Sequence, residues 1–239
     1  MNPLIEVTDC FRKEYLFVDC RHALSDVQLG QKLYKDHHLP NAIFANLEND
    51  LSDPKKIEKR IFGRHPLPNI NNFIDFLQLN GVNSDSHLVA YDDDGGIFAA
   101  RFWWMIKWIG HEKISILNGG LNAWKKSGNP LDKTLSSRPR GNIQRNPGFV
   151  HEWRIAEISA WVNSGKNNEI ATLIDARMSE RYNGHVEPVD SKSGHITGAI
   201  NRPYTDNLDA DGYFKSSRKL KQEFMQILNQ TMVTALFAQ

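Results

Sequence analysis

The chain has 239 residues, 40% hydrophobic and 24% charged, and its 29 Lys and Arg against 28 Asp and Glu give a formal charge of +1. That is enough apolar material for one large or two modest cores, and the balance of charge leaves no broad basic face for nucleic acid or an anionic membrane. Residues 1–15 lack a positive region followed by a long apolar run, and no later stretch approaches the ~20 apolar residues of a membrane span, so a cytoplasmic protein is expected.

Taken in chain order, Leu16-Phe17-Val18-Asp19 reads as a strand, and after a polar crossover His38 to Ile43 reads as an extended, turn-like return. From Pro66, the apolar residues Ile70, Phe73, Ile74, Phe76 and Leu77 fall near helical spacing, with proline before them and Gly81 after. A strand at 87–91 follows, then an acidic glycine-bearing loop, Asp92 to Gly96, and a strongly apolar helix from Ile97. Ile114 to Leu117 predicts another strand, and the segment ending at Gly128 another helix. Strands alternating with helices imply a parallel sheet covered on both faces.

Residues 131–147 are poor in apolar side chains and rich in Ser, Arg, Pro and Asn, the composition of a linker. Beyond it the earlier signals return. Thr172 to Arg177 repeats the pattern of Phe17 to Arg21, and Gly194 to Ile200 repeats His38 to Ile43. Asp19 and Asp175 lie 156 residues apart and His38 and His195 lie 157 apart, so the chain reads as two copies of one unit. The expected domains are 1–130 and 148–239, joined by 131–147.

Together the segments VDCRHAL, HHLPNAIFANLENDLS, GRHPLP, VAYDDDGGIFAARFWWMIKWIGH and LNGGLNAWKKSGNPL resemble the first half of a tandem rhodanese protein. LIDARMSERYNGHVEP, SGHITGAINRPYTDNL and DGYFKSS resemble the start of its second half. The family comprises thiosulfate and 3-mercaptopyruvate sulfurtransferases. The resemblance implies an α/β fold of two rhodanese-like domains, each a parallel sheet flanked by helices, and no cofactor. It also implies a ping-pong reaction in which a cysteine takes sulfur from a small anionic donor, becomes a persulfide, and passes the sulfur to cyanide or another thiophilic acceptor. The nucleophile of such enzymes lies in a loop between a strand and a helix, where backbone N–H groups and the helix N-terminus favour a thiolate.

In the first copy Asp92 stands at the nucleophile position, and a carboxylate cannot carry sulfane sulfur. In the second, transferring the repeat offsets places the nucleophile at about 241 or 249, beyond Gln239. The second domain is therefore expected to be incomplete at its C-terminus, prone to aggregation, and without a catalytic residue. The resemblance assigns Arg181 to binding the anionic donor, its guanidinium able to fork onto an oxygen pair. The mercaptopyruvate branch commonly carries an arginine after its Glu-Pro pair, but Glu187-Pro188 is followed by Val189, which weakens that choice of donor.

The remaining candidates read as structure. Arg177 suits an ion pair with Asp175. Cys20 ends a buried strand, where a cysteine behaves as a small hydrophobe, and Cys10 lies near the terminus with no stronger claim to catalysis. Trp103, Trp104 and Trp108 suit packing. Three adjacent aspartates can hold a hard cation, and His37, His38, His185 and His195 are further candidate ligands. The aspartates have no second carboxylate cluster and the histidines no ligand spacing, so no metal site is expected. Two rival functions remain: a catalytically empty module with a binding or regulatory role, and a phosphatase, for which neither copy supplies the cysteine loop.

Overall fold

A computed structural model describes residues 2–11, 14–59, 63–148, 150–164, 171–188 and 190–228, and the backbone of 234–238. The chain divides into two compact units, Met1–His151 and Glu152–Gln239.

The first unit begins with β1 (Leu4–Ile5), β2 (Leu16–Asp19), α1 (Leu29–Asp36) and β3 (Ile43–Phe44). It continues with α2 (Pro54–Lys59), α3 (Ile70–Leu79), β4 (Leu88–Tyr91), α4 (Ile97–Trp108), β5 (Ile114–Leu117) and α5 (Gly120–Lys126). The strands pair in the order β1-β5-β4-β2-β3, every pairing parallel. The central strands β4 and β5 are buried along their whole length, which is why they read as unbroken apolar runs. Helix α3 starts where the Asn69 side chain accepts the Asn71 N–H at 2.9 Å. Helix α4 turns Phe98, Phe102, Met105 and Ile106 into the core and leaves Trp103, Trp104 and Trp108 half-buried, the last two stacked at 6.0 Å.

The strip expected to be a linker belongs to the first unit. Ile143 is buried, its carbonyl accepts from the Gln78 side chain at 2.8 Å, and His38 and Asp132 bridge backbone to backbone. A side chain at position 141 would stand 2.0 Å from the Val82 carbonyl oxygen, so the strip needs glycine to lie this close. Its polar composition reflects a segment held by backbone contacts rather than by apolar side chains.

The second unit contains α6 (Ile155–Asn163), β6 (Ala171–Asp175), α7 (Ser179–Tyr182), β7 (Ile200–Asn201), α8 (Ser217–Ile227) and β8 (Thr234–Ala238). The described strands form a parallel sheet ordered β7-β6-β8, with Trp161, Ala171, Leu173 and Ala199 at its core. The two units share a pairing register. Val18 faces Ile43 and Asp19 faces Phe44, as Ile174 faces Ile200 and Asp175 faces Asn201, shifts of 156 and 157 residues. Among the described residues no helix is long and apolar enough to cross a membrane.

Candidate active site

Where β4 ends, the chain turns through Asp92 to Gly96 into α4. Gly95 and Gly96 adopt φ of 68° and 88°, a left-handed conformation that folds the loop back over its own start. The backbone N–H groups inside that turn converge on one carboxylate. Asp92 Oδ1 accepts from the amides of Asp94 at 3.0 Å and Gly96 at 2.8 Å, and Oδ2 accepts from Phe98 and Ala99, both at 2.9 Å. Phe98 and Ala99 carry N–H groups of the first helical turn, which have no partner within the helix. Asp92 is 1% exposed. Burial pushes its carboxyl above the ordinary carboxylate value, and the four amides pull in the opposite direction. Behind the loop, the Asp92 carbonyl accepts the Leu121 N–H at 2.8 Å and lies where a side chain on Gly120 would fall, 2.3 Å away. The loop is a built anion cradle, already filled by its own side chain. Asp93 and Asp94 are exposed.

In the second unit β8 lies beside β6 as β4 lies beside β2. Asp19 is opposite Tyr91 at the end of β4, and Asp175 is opposite Ala238 at the end of β8. Gln239 lies outside the described residues.

β2, which lies beside β4, and β6, which lies beside β8, are braced in the same way. Arg21 donates from Nε and Nη2 to Asp19 at 2.7–3.0 Å, and Nη2 reaches the His37 carbonyl at 2.6 Å. Arg177 repeats this on Asp175 at 2.7–3.1 Å, with Nη2 reaching the Gly194 carbonyl at 2.6 Å. In the first unit Tyr91 Oη adds a 2.7 Å bond to Asp19. Arg177 is therefore placed in the ion pair expected for it. His38, in the turn-like return after α1, is fully buried, its Nδ1–H donating to the Tyr34 carbonyl at 2.6 Å.

Arg181 lies on α7, 19% exposed at its side chain. Its Nε and Nη2 fork onto Glu187 at 2.7–3.2 Å, and Nη2 also reaches Asp190 at 2.9 Å. Both thiols are buried and free. Burial, with Asp9 and Glu6 nearby, raises Cys10 to about 12. Burial, with Asp19 and Asp92, raises Cys20 well above its ordinary value. Neither is an activated nucleophile.

Residues 8–127 match the model of the rhodanese-like domain. The chain is 40% identical over 226 residues to a probable 3-mercaptopyruvate sulfurtransferase of Pseudomonas aeruginosa, spanning 94% of this chain and 78% of that protein. It is 37% identical over 185 residues to a putative thiosulfate sulfurtransferase of Mycobacterium tuberculosis, spanning 77% of this chain and 63% of that one. The 3-mercaptopyruvate sulfurtransferase from Leishmania major superimposes with a TM-score of 0.82 at 28% identity, over 98% of this chain and 64% of that chain. The chain thus spans less than two thirds of the length of the last two. With its parallel sheets, its β4–α4 anion cradle and relatives at this level of identity, the chain belongs to the rhodanese-like family, among the homologues of 3-mercaptopyruvate and thiosulfate sulfurtransferases.

Proposed function

We propose that the chain belongs to a sulfurtransferase system that moves sulfane sulfur from a small anionic donor, thiosulfate or 3-mercaptopyruvate, to cyanide or another thiophilic acceptor. In that reaction a thiolate attacks the donor sulfur, sulfite or pyruvate leaves, and the persulfide surrenders its outer sulfur to the acceptor as the thiolate returns. Residues 1–239 alone do not turn over. The observation that carries this reading is the Asp92 carboxylate seated in the amide cradle of the first unit, where an anion-stabilising loop holds an oxygen group with no sulfur to exchange. Arg181 is the donor-binding residue of the second unit, meeting the anion through Nη1 while Nε and Nη2 stay on Glu187 and Asp190. Two free buried thiols fit a reducing, cytoplasmic setting.

A second reading draws on the same loops. With a carboxylate in place of a thiol in the Asp92 cradle, a catalytically empty rhodanese-like unit can serve in binding or regulation. Sulfur transfer from thiosulfate and from 3-mercaptopyruvate to cyanide, measured on the purified 239-residue chain and on Cys10→Ser and Cys20→Ser, tests the proposal. The expected rate equals the buffer blank throughout. Turnover that disappears in Cys20→Ser would overturn it and move the chemistry into the first unit.

A further inference from the structure

In the first unit β2 and β3 run side by side and parallel, so the loops leaving their C-terminal ends are neighbours. This is the edge at which open α/β sheets collect ligands. His22 lies just beyond β2, Glu48 in the turn after β3, and His65 on the segment after α2. One nitrogen of each histidine and one carboxylate oxygen lie within 4.8 Å of one another. Glu48 Oε1 is 3.0 Å from His65 Nε2 and 3.7 Å from His22 Nε2.

An ordinary hydrogen bond accounts for the His65–Glu48 contact. It does not account for His22, whose side chain is 2% exposed and whose Nε2 has no hydrogen-bond partner among the described residues. A buried imidazole nitrogen left without a partner is costly. Here it points at the carboxylate from beyond hydrogen-bonding range. Ligand atoms around a tetrahedral zinc ion, with bonds of about 2.0–2.1 Å, stand roughly 3.3 Å apart. The two observed separations bracket that figure. The surroundings hold the donors in place. Phe98 packs edge-on against the His22 ring at 5.3 Å, and buried Arg101 fixes the His65 carbonyl at 2.8 Å and the Leu51 carbonyl at 2.6 Å.

We propose that His22, Glu48 and His65 form a site for one divalent transition-metal ion, zinc before others, with a fourth position open to water. Two imidazoles and a carboxylate are the donor set that such ions prefer over calcium or magnesium. The ion would satisfy His22 Nε2 and clasp three loops that are far apart in the chain. The site is independent of the Asp92 cradle and of the sulfur-transfer reading.

The test uses the untagged 239-residue chain stripped with a chelator and titrated with Co2+, its visible absorption reporting coordination, followed by displacement with Zn2+. Glu48→Gln and His65→Asn, both at partly exposed positions, are run alongside, with circular dichroism checking that the metal-free variants remain folded. The expected result is one Co2+ per chain at micromolar or tighter affinity, displaced by Zn2+, with at least a tenfold loss in each variant. Zn2+ should also raise the thermal midpoint of the parent chain and not that of Glu48→Gln. Absence of saturable absorption, or binding undiminished in both folded variants, overturns the proposal, the second outcome placing the metal on other histidines.

Discussion

Replacing Asp92 with alanine removes the acceptor for four amides at once. Two of these, on Phe98 and Ala99, amount to a helix cap, whose loss costs about 0.5–2 kcal/mol. The other two, on Asp94 and Gly96, hold the loop, and each buried donor left unmet costs about 1–3 kcal/mol. Against this, the variant no longer buries a carboxylate at 1% exposure, and water entering beside exposed Asp93 and Asp94 meets part of the deficit. The net expectation is a loss of about 3 kcal/mol, and at ~2–4 °C per kcal/mol for a domain of this size that is roughly 6–12 °C in the thermal midpoint. Urea unfolding followed by tryptophan fluorescence reads this, because Trp103, Trp104, Trp108 and Trp124 all lie in the first unit. Hydrogen exchange should accelerate at the same four amides. Asp93→Ala, at an exposed position, is the control and should stay within about 0.5 kcal/mol of the parent. A loss below about 1 kcal/mol for Asp92→Ala, or an equal loss in the control, would refute the reading of the loop as a cradle held by its own carboxylate.

Three further outcomes follow from the buried groups. Iodoacetamide at pH 8 should label Cys10 about 10^3-fold more slowly than an ordinary thiol, because its pKa of about 12 leaves so little thiolate, and Cys20 more slowly still; both should label at once in urea. His111 is 5% exposed, and burial lowers its pKa below 6.5, so the unfolded chain binds its proton first and stability falls as pH drops below 6.5. His111→Gln should remove that part of the slope in urea midpoints measured from pH 7.5 to pH 5. Asp175 behaves differently: burial pushes it up, but the hydrogen bonds from Arg177 outweigh burial and hold the carboxyl below 3.8. Its stabilisation is complete above 3.8 and is lost as pH falls through the lower folded value, so the stability gap between the parent and Arg177→Met should be flat at neutral pH and close in strong acid.

What the sequence revealed, and what it hid, divides along the range of the interactions. β4, β5 and α4 were legible because each is a local apolar run between turn residues. β1, with two residues, carries no such signal, and its place beside β5 is fixed by a partner more than a hundred residues away. Residues 131–147 read as a linker because their side chains are polar, yet Gly141 lies against Val82 through backbone contacts that composition does not register. At the candidate site, the resemblance of the motifs to the rhodanese family was enough to single out Asp92 and to notice that it is not a thiol. That four amides face it could not be read from a loop of aspartates and glycines. The anion-binding expectation for Arg181 came from the motif around it, while its engagement with Glu187 and Asp190 depends on how the chain folds back after α7.

The duplicated brace makes the molecule its own electrostatic reference. Asp19–Arg21 and Asp175–Arg177 share one geometry, with closest contacts of 2.7 Å in both. They differ in their surroundings: the side chains of the first pair are 0% and 1% exposed, those of the second 10% and 25%. An ion pair's worth depends on how far water is excluded as well as on distance. Double-mutant cycles on the two pairs would therefore vary the surroundings with the bond geometry held fixed. Such a comparison usually needs two proteins, and here a single polypeptide carries both halves of it.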